Sequence, residues 1–264
     1  MSGVSIEDRF HFDLSGFLLL RGVLSEAECK GMREVLAQLE GQEYEDVWMK
    51  EKGPGRPTKE SNREGQVRLN GVVRLDPIFD QLIAHSTLVP FLREFVGEPQ
   101  LINTWSISKF KGAKEGGWHR GIQPTDFSCR NGDIRSRMLN VVFLLTDNGP
   151  EDGCVVAIPG SHKNNIDLNW RNYKGLEMPG AMPVTGKTGD VFLFSEAVIH
   201  NGLLKTTDGV RTNLYYNYVH AHYNVMMREP KNSHHFYFPP GLRERFNDEQ
   251  KAMTTWMELV KWEY

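Results

Sequence analysis

The sequence predicts a mainly β protein in which two sheets form a jelly roll, with helices at both ends of the chain. From residue 100 onward, short runs rich in β-branched and aromatic residues are separated by Gly, Pro, Asn and Asp. No helical pattern interrupts these runs, which is typical of stacked antiparallel sheets. The runs are LINTWSISKF, RMLNVVFLLTD, CVVAIPG, DVFLFSE and VRTNLYYNYVHAH. We therefore expect a single domain over 1–264, with a β core at about 100–222.

The N-terminal part predicts a strand followed by a helix. Residues 16–24, GFLLLRGVL, read as a short buried strand. Ser25 and Glu28 have the spacing of a capping box, which starts a helix. Its apolar positions follow at helical spacing: Met32, Val35, Leu36 and Leu39.

Three further segments frame the core. Residues 66–75 predict a strand, and residues 77–96 carry a helical pattern. The stretch from Asn247 to Tyr264 is amphipathic and predicts a C-terminal helix. Residues 41–65 are rich in Gly, Lys, Glu and Pro, so they predict a surface loop, with a plain linker and a lid over a site equally favoured.

The net charge, the cysteine spacing and the lengths of the apolar runs limit the partners and the compartment that the sequence predicts. Lys and Arg number 31 against 34 Asp and Glu, giving a net charge of -3, so neither nucleic acid nor an anionic membrane is expected as a partner. The 3 cysteines are far apart and lack CxxC spacing, which favours a reduced, cytoplasmic protein. No apolar run approaches the roughly 18 residues of a membrane span.

The segment Gly117-Trp118-His119-Arg120-Gly121 carries half of a metal-site pattern. In a strand, residues two apart share a face, so His119 and position 121 would face one point. A non-haem iron oxygenase binds its metal with two His and one carboxylate on one face of an octahedron. Position 121, where the carboxylate is expected, is Gly.

A second set of residues follows about eighty positions later. His200 lies after the Gly189–Phe194 run, and Arg211 lies eleven residues beyond His200, where the next strand is expected. Neighbouring strands can bring two imidazoles to one metal, and an Arg can bind a carboxylate with two parallel hydrogen bonds. The set predicts a site for iron and a dicarboxylate such as 2-oxoglutarate.

In the order of these elements the chain resembles the phytanoyl-CoA dioxygenase family of iron(II)/2-oxoglutarate oxygenases. The resemblance covers most of the chain and rests on the following segments: Gly16-Phe17, Trp118-His119, Asp152-Gly153, the Ile158–His162 run, Gly189-Asp190, His200 and Arg211. It implies a double-stranded β-helix of the cupin-like type. It also implies that His119 and His200 bind iron and that Arg211 binds the distal carboxylate of 2-oxoglutarate.

The resemblance suggests further co-substrate contacts. Lys109, ten residues before His119, lies where the family often has a polar contact to 2-oxoglutarate. Where the family commonly has Ser two residues after the distal His, this chain has Gly202. Asn140 or Asn201 is therefore expected to replace part of that hydrogen bonding.

Gly121 is the larger departure and is similar to the iron/2-oxoglutarate halogenases, which have Gly or Ala in place of the carboxylate. In that chemistry chloride takes the sixth iron position, a ferryl intermediate formed with O2 abstracts hydrogen, and the substrate radical recombines with chloride. The resemblance therefore predicts a halogenase that chlorinates an unactivated aliphatic carbon of a free small molecule.

Two alternatives to the halogenase remain open. One is a hydroxylase in which Asp126 or Glu196 supplies the missing carboxylate, with Glu196 favoured because it is near His200 in sequence. The other is a non-catalytic binding jelly roll.

Several cations flank the expected mouth of the site. Solvated loop charges are the simpler interpretation, and Arg120 is the residue expected to meet substrate. The functional alternative is an anionic substrate, such as a phosphorylated molecule or a nucleotide. The cations are Lys109, Lys111, Lys114, Arg120, Arg130, Arg135 and Arg137.

Overall fold

Two antiparallel sheets face each other, and helices cover the outer face of the larger one. The structure, a computed structural model, describes residues 3–42, 59–60, 65–166, 168–223, 238 and 241–259. The helices are α1 (Ile6–Ser15), α2 (Glu26–Glu40), α3 (Val72–Leu75), α4 (Val89–Val96), α5 (Asp248–Met253) and α6 (Trp256–Leu259). The strands are β1 (Phe17–Leu20), β2 (Lys59–Glu60), β3 (Gln66–Asn70), β4 (Pro99–Lys109), β5 (Phe127–Arg130), β6 (Asp133–Ser136), β7 (Met138–Leu144), β8 (Val155–Ala157), β9 (Met182–Pro183), β10 (Val191–Ser195), β11 (His200–Gly202) and β12 (Arg211–His220).

The larger sheet has the order β1-β10-β7-β12-β4-β3-β2, and the smaller sheet has the order β11-β8-β9. Strand β12 is the centre of the larger sheet, because it pairs antiparallel with both β4 and β7. Its register places Arg211 opposite Lys109, and Asn217 opposite both Asn103 and Asn140. Opposite residues project from the same face of a sheet, so these side chains all face the smaller sheet.

Each face of the larger sheet has its own apolar cluster, as the period of two requires. The outer cluster joins Val141, Phe143 and Tyr216 to the helices through residues such as Phe12 and Phe95. The inner cluster lies between the two sheets and contains alternate residues of the same strands. Its larger members are Val142, Leu144, Phe192, Phe194, Tyr215 and Val155. We call the space between the two sheets the cleft, and apolar side chains fill its middle.

The predicted jelly roll with flanking helices is confirmed, with local differences. The strand expected over 66–75 ends at Asn70, because Gly71 takes a left-handed conformation (φ 71°) before α3. The amphipathic C-terminal stretch is two short helices separated by Thr254 and Thr255. Most of the loop expected at 41–65 lies outside the described residues. Among the helices that the structure describes, none is long and apolar enough to cross a membrane.

Gly189 fixes the turn that leads into β10. Its φ is +87°, and a Cβ at this position would overlap the carbonyl oxygen of Leu24. The same backbone segments are joined by a hydrogen bond from the Leu24 amide to the Gly189 carbonyl, at 3.0 Å. A side chain at 189 would therefore separate the β1–α2 connection from the strand that precedes the expected metal site.

We predict that Gly189→Ala lowers the free energy of unfolding by about 3 kcal/mol, since left-handed strain and backbone overlap add together. The control is Gly209→Ala, because Gly209 has φ +76° and nothing within 4 Å of its Cβ position. That variant should lose only the strain, about 1 kcal/mol. Urea unfolding would measure both, and equal losses would show that the Leu24 contact contributes nothing.

Candidate active site

His119 and His200 lie side by side at the edge of the smaller sheet. Their backbones form an antiparallel bridge, with the His119 amide 3.0 Å from the His200 carbonyl and the reverse bond at 2.9 Å. Their ring centroids are 4.2 Å apart at an interplanar angle of 52°. His119 is exposed, whereas His200 is buried and packs edge-on against Phe194 at 4.6 Å. The predicted pairing of the two imidazoles is present.

Both rings are held in the form that binds a metal. The Nδ1 atom of His119 lies 2.8 Å from the carbonyl of Gly117, and Nδ1 of His200 lies 2.9 Å from the carbonyl of Val198. A carbonyl only accepts, so each Nδ1 is the donor in its bond, and Nε2 is the ring nitrogen that remains for a metal. A bond from the second ring nitrogen to a carbonyl is the usual outer support of a metal-binding histidine. Burial, with His119 as a second cause, lowers the pKa of His200 to about 3, which keeps that ring neutral.

The carboxylate of Glu196 occupies the space where a side chain of residue 121 would lie. A Cβ built on Gly121 would be 2.5 Å from Glu196 Oε2 and 3.2 Å from its Cβ and Cδ. The two backbones are joined as well, since the Gly121 amide donates to the Glu196 carbonyl at 2.8 Å. Gly121 and Glu196 therefore exclude each other's side chains, and the acid lies next to the position that the family pattern gives to a carboxylate.

An asparagine of the larger sheet holds Glu196 in this position. The Asn140 Nδ2 atom donates to Glu196 Oε1 at 2.8 Å, and Asn217, opposite Asn140 on β12, helps to lower the pKa of this carboxyl. Burial raises the pKa of Glu196 above its ordinary value, against the opposing effects of His119 and the two amides. A bound cation would act in the opposite direction, because it favours the ionised acid.

The described residues contain no group of three His, Cys, Asp or Glu side chains already arranged as a complete metal site. The Glu196 Oε1 atom accepts a hydrogen bond from Asn140 Nδ2. Asp126, the other acid considered, lies in a short 3-10 helix and pairs with Arg137 at 3.7 Å. Two adjacent imidazoles whose Nδ1 atoms are held by carbonyls still fit iron, and Glu196 is the acid next to them.

The other end of the cleft carries buried cations. Arg211 and Lys109 are 2% and 3% exposed. Arg211 Nη2 donates to the Gly153 carbonyl at 2.8 Å, and Lys109 Nζ donates to the Leu203 carbonyl at 2.6 Å. The Nε atom of Arg211 is buried without a hydrogen-bond partner. A buried guanidinium with an unused donor fits a bound carboxylate, as predicted for 2-oxoglutarate.

The span between the two ends matches a short dicarboxylate. His200 and Leu203 are three residues apart on and just beyond β11, roughly 10 Å by strand rise. Trp105 and Tyr215 stack in the cleft between the ends, with ring centroids 5.1 Å apart and nearly parallel. Gly202 leaves room beside Lys109, whose Nζ would be 3.5 Å from a Cβ at 202. The site thus has imidazoles at one end, cations at the other and aromatic rings between them.

Other predicted residues lie elsewhere. Asn140 contacts Glu196, and its cross-strand neighbour Asn217 is six residues from Arg211 along β12, so Asn140 lies beside Glu196 and not beside Arg211. Asn201 alternates with His200, so it faces away from the cleft. Arg120 is half-buried next to His119, and its expected contact with substrate stays a prediction.

Three of the flanking cations have acidic partners. Lys111 pairs with Asp208 at 3.0 Å, and Arg135 pairs with Asp133 at 2.8 Å. The third is Arg137, the partner of Asp126. These pairs favour the interpretation that the charges are solvated loop residues.

The sequence reasoning missed Asn217. An Asn within the YYNYVHAH run has no distinguishing signal by itself, and its importance comes from lying opposite Asn140 on β7. The period of two along β12 could have placed it on the same face as Arg211, since the two residues are an even number apart.

The comparisons with known proteins show the family of this chain. The profile of the family "Phytanoyl-CoA dioxygenase (PhyH)" matches residues 12–213, about three quarters of the chain. The chain belongs to the phytanoyl-CoA dioxygenase family. It is therefore an iron(II)/2-oxoglutarate-dependent oxidoreductase, as the sequence predicts.

Named relatives are similar over most of their length. An ectoine dioxygenase of Stutzerimonas stutzeri is 24% identical over 235 residues, covering 80% of this chain and 75% of the relative. A phytanoyl-CoA dioxygenase domain-containing protein 1 of Bos taurus is 27% identical over 239 residues, covering 76% of this chain and 77% of the relative.

A solved structure shares the fold. HygX from Streptomyces hygroscopicus, with nickel and 2-oxoglutarate bound, has a TM-score of 0.71 at 20% identity, covering 88% of this chain and 96% of HygX. None of these named relatives is described as a halogenase, so they do not support the chloride part of the sequence prediction.

The contact between Gly121 and Glu196 predicts a measurable energetic coupling. Gly121→Ala should lower the free energy of unfolding by about 2 kcal/mol, because the new methyl group must displace the buried Glu196 side chain. Combined with Glu196→Ala, the same change should cost about 1 kcal/mol less than it does alone. Calorimetric or urea unfolding of the four proteins of this cycle would measure the coupling.

Gly117→Ala is the matched control in the same loop, since nothing lies within 4 Å of its Cβ position. It should change the free energy of unfolding by less than about 0.5 kcal/mol. Strict additivity of Gly121→Ala and Glu196→Ala would contradict the shared volume.

Proposed function

We propose that this oxygenase hydroxylates an unactivated C–H bond of a small molecule, and that Glu196 supplies the carboxylate that the His-x-Gly segment lacks. His119 and His200 would hold iron(II) through their Nε2 atoms, with Glu196 as the third protein ligand. Arg211 and Lys109 would bind the distal carboxylate of 2-oxoglutarate. The substrate is a small molecule, as it is for HygX, whose structure with hygromycin B bound has a TM-score of 0.70 to this chain.

One observation carries this proposal, namely that Glu196 fills the place left by Gly121. A vacant position beside His119 would leave room for an anion from solution. Instead, a buried carboxylate is held there by the Asn140 amide, and its Oε2 atom lies 2.5 Å from where the residue 121 Cβ would be. In this proposal the carboxylate comes from residue 196 and not from residue 121. The facial site would still have two imidazoles and one carboxylate.

Each end of the cleft has a separate task. Bound iron(II), together with 2-oxoglutarate and O2, supplies the oxidising chemistry. The Gly117 and Val198 carbonyls keep the imidazoles oriented, and Asn140 limits the positions that the Glu196 carboxylate can take. Arg211, fixed by the Gly153 carbonyl, orients the co-substrate along the aromatic pair Trp105 and Tyr215. The apolar middle of the cleft excludes water from the reacting region.

The halogenase hypothesis remains the competing function, because Gly121 is its sequence signature. It requires that Glu196 stay away from the metal so that chloride can bind. The hydroxylase proposal requires the opposite. The two functions therefore differ in a single property, the response of the iron site to chloride.

Glu196 variants test this property without knowledge of the substrate. The apo-protein is loaded anaerobically with iron(II) and 2-oxoglutarate, and the metal-to-ligand charge-transfer band is followed with and without chloride. We expect the wild-type band to ignore chloride. Glu196→Ala should weaken iron binding at least tenfold and make the band sensitive to chloride, because the variant leaves an open position.

The double variant Gly121→Asp/Glu196→Ala is the decisive companion. It returns the carboxylate to the residue two after His119, and the Ala side chain leaves space for it. We expect iron affinity to recover to within about tenfold of wild type, as a restored ligand predicts. A wild-type band that shifts with chloride, together with an unaffected Glu196→Ala variant, would instead establish the halogenase.

Arg211 gives a prediction for the co-substrate end. Arg211→Gln should weaken 2-oxoglutarate binding by about 30-fold, since a buried charge-assisted contact is worth roughly 2 kcal/mol. Iron binding measured alone should not change. Arg130→Gln is the control, because Arg130 is exposed at the end of β5. A change of less than twofold in the Arg211 variant would remove Arg211 from the co-substrate site.

A further inference from the structure

Three large apolar side chains of helix α1 are exposed on one side of the helix. Ile6 is 70% exposed, Phe10 is 63% exposed and Leu14 is 61% exposed. Positions four apart lie one above the other on a helix, so the three side chains form a continuous row. Single apolar residues on a surface are ordinary, whereas a contiguous apolar patch marks an interaction site. We call these three residues the α1 stripe.

The opposite side of α1 is anchored to the protein, so the outward direction of the stripe is fixed. Phe12 is fully buried and stacks on Phe95, with ring centroids 3.9 Å apart. A capping box between Ser5 and Asp8 closes the first turn of the helix. Phe12 is two residues from Phe10, about 200° around the helix. Burial of Phe12 therefore turns the stripe toward solvent.

Charged and polar side chains border the stripe on both edges. Glu7 and His11 lie along one edge, and both are exposed. Arg9 and Asp13 lie along the other edge, where Arg9 also pairs with Glu94 of its own chain at 3.1 Å. Each edge therefore carries one acidic side chain and one basic or imidazole side chain, four residues apart along the helix.

An antiparallel second copy of α1 complements this face. In a two-fold contact the same surface meets itself, so residue i of one copy touches residue j of the other and the reverse. With the axis at Phe10, Ile6 of each copy packs against Leu14 of the other copy, and the two Phe10 rings meet. Each edge then faces the same edge of the other copy in reverse direction. This arrangement brings the acidic residue of one copy beside the basic or imidazole residue of the other.

The size of the stripe fits a weak homodimer. Its three side chains expose roughly 400 Å² of apolar surface, about half of the ~800 Å² that each partner buries in a stable interface. The bordering charged residues would form a polar rim around this apolar centre. A membrane surface suits the stripe less well, because helices that lie on membranes carry Lys and Arg beside the apolar face. The first turn of α1 instead carries Glu7 and Asp8.

We infer that the α1 stripe joins two copies of this chain in an antiparallel homodimer, with the two-fold axis at Phe10. An apolar centre of this size gives a dissociation constant in the micromolar range. The contact uses no residue of the candidate active site, so the inference is independent of the proposed function.

Sedimentation velocity of the full chain tests the dimer. We expect the sedimentation coefficient to rise from that of a monomer to that of a dimer between about 1 and about 100 µM, a range that brackets a weak interface. Phe10→Gln should raise the dissociation constant at least tenfold. Leu176→Gln is the matched control, because Leu176 is also exposed, at 54%, but lies in the 3-10 helix Gly175–Glu177. It should leave the dissociation constant within twofold of wild type.

Cysteine cross-linking tests the orientation of the two helices. Ile6→Cys and Leu14→Cys are made separately in a Cys129→Ser background, which removes the exposed native thiol. Oxidised glutathione is added to each protein alone and to their mixture. In the antiparallel dimer the two copies of residue 6 are about 12 Å apart, beyond the reach of a disulfide, whereas residue 6 of one copy lies opposite residue 14 of the other. The mixture should therefore cross-link at least fivefold more than either protein alone.

Three results would overturn the inference. The first is a wild-type chain that stays monomeric at the highest concentration. The second is a dimer that Phe10→Gln weakens no more than Leu176→Gln does. The third is a cross-linking pattern in which the single proteins react as well as the mixture, or in which none of the three samples reacts.

Discussion

The candidate site depends on one small volume that can hold a side chain from residue 121 or from residue 196, but not from both. Glu196 occupies it, and Gly121 is the residue that permits this. A buried carboxylate needs donors, and Asn140 supplies one at 2.8 Å. The residue types at positions 121 and 196 thus determine which polar groups line this part of the cleft.

Strand register connects that volume to the rest of the molecule. Glu196 follows β10 directly, β10 pairs with β7, and β7 pairs with β12, so the acid and both asparagines come from consecutive neighbours in the sheet. The same face of β12 carries Arg211 at its other end. A shift of one residue would turn every one of these side chains into the apolar outer cluster. The alternation of apolar residues along the strands therefore stabilises the fold and fixes the site together.

The sequence predicts the features of the site that follow from local strand patterns. It does not predict those that depend on contacts between segments far apart along the chain. The pairing of His119 with His200 and the burial of Arg211 follow from strand periodicity and the order of motifs, and both are present. The relation of Gly121 to Glu196 is set by a hydrogen bond between segments about 75 residues apart, which no local pattern reports. The sequence therefore identifies Glu196 as an alternative source of the missing carboxylate but does not predict where its side chain lies. The importance of Asn217 follows only from its position opposite Asn140 in the β7–β12 register.

Electrostatics favours a protein carboxylate over chloride beside these imidazoles. Burial raises the pKa of Glu196, so the acid is costly to ionise with amides alone, and a neighbouring cation offsets that cost. A chloride bound at the same metal would place a second anion next to Glu196. Two unit charges 4 Å apart repel by about 4 kcal/mol at an effective dielectric constant of 20. The halide would have to overcome this repulsion, whereas the carboxylate is already part of the folded chain. In the proposed function one anion binds at this position, and Glu196 provides it.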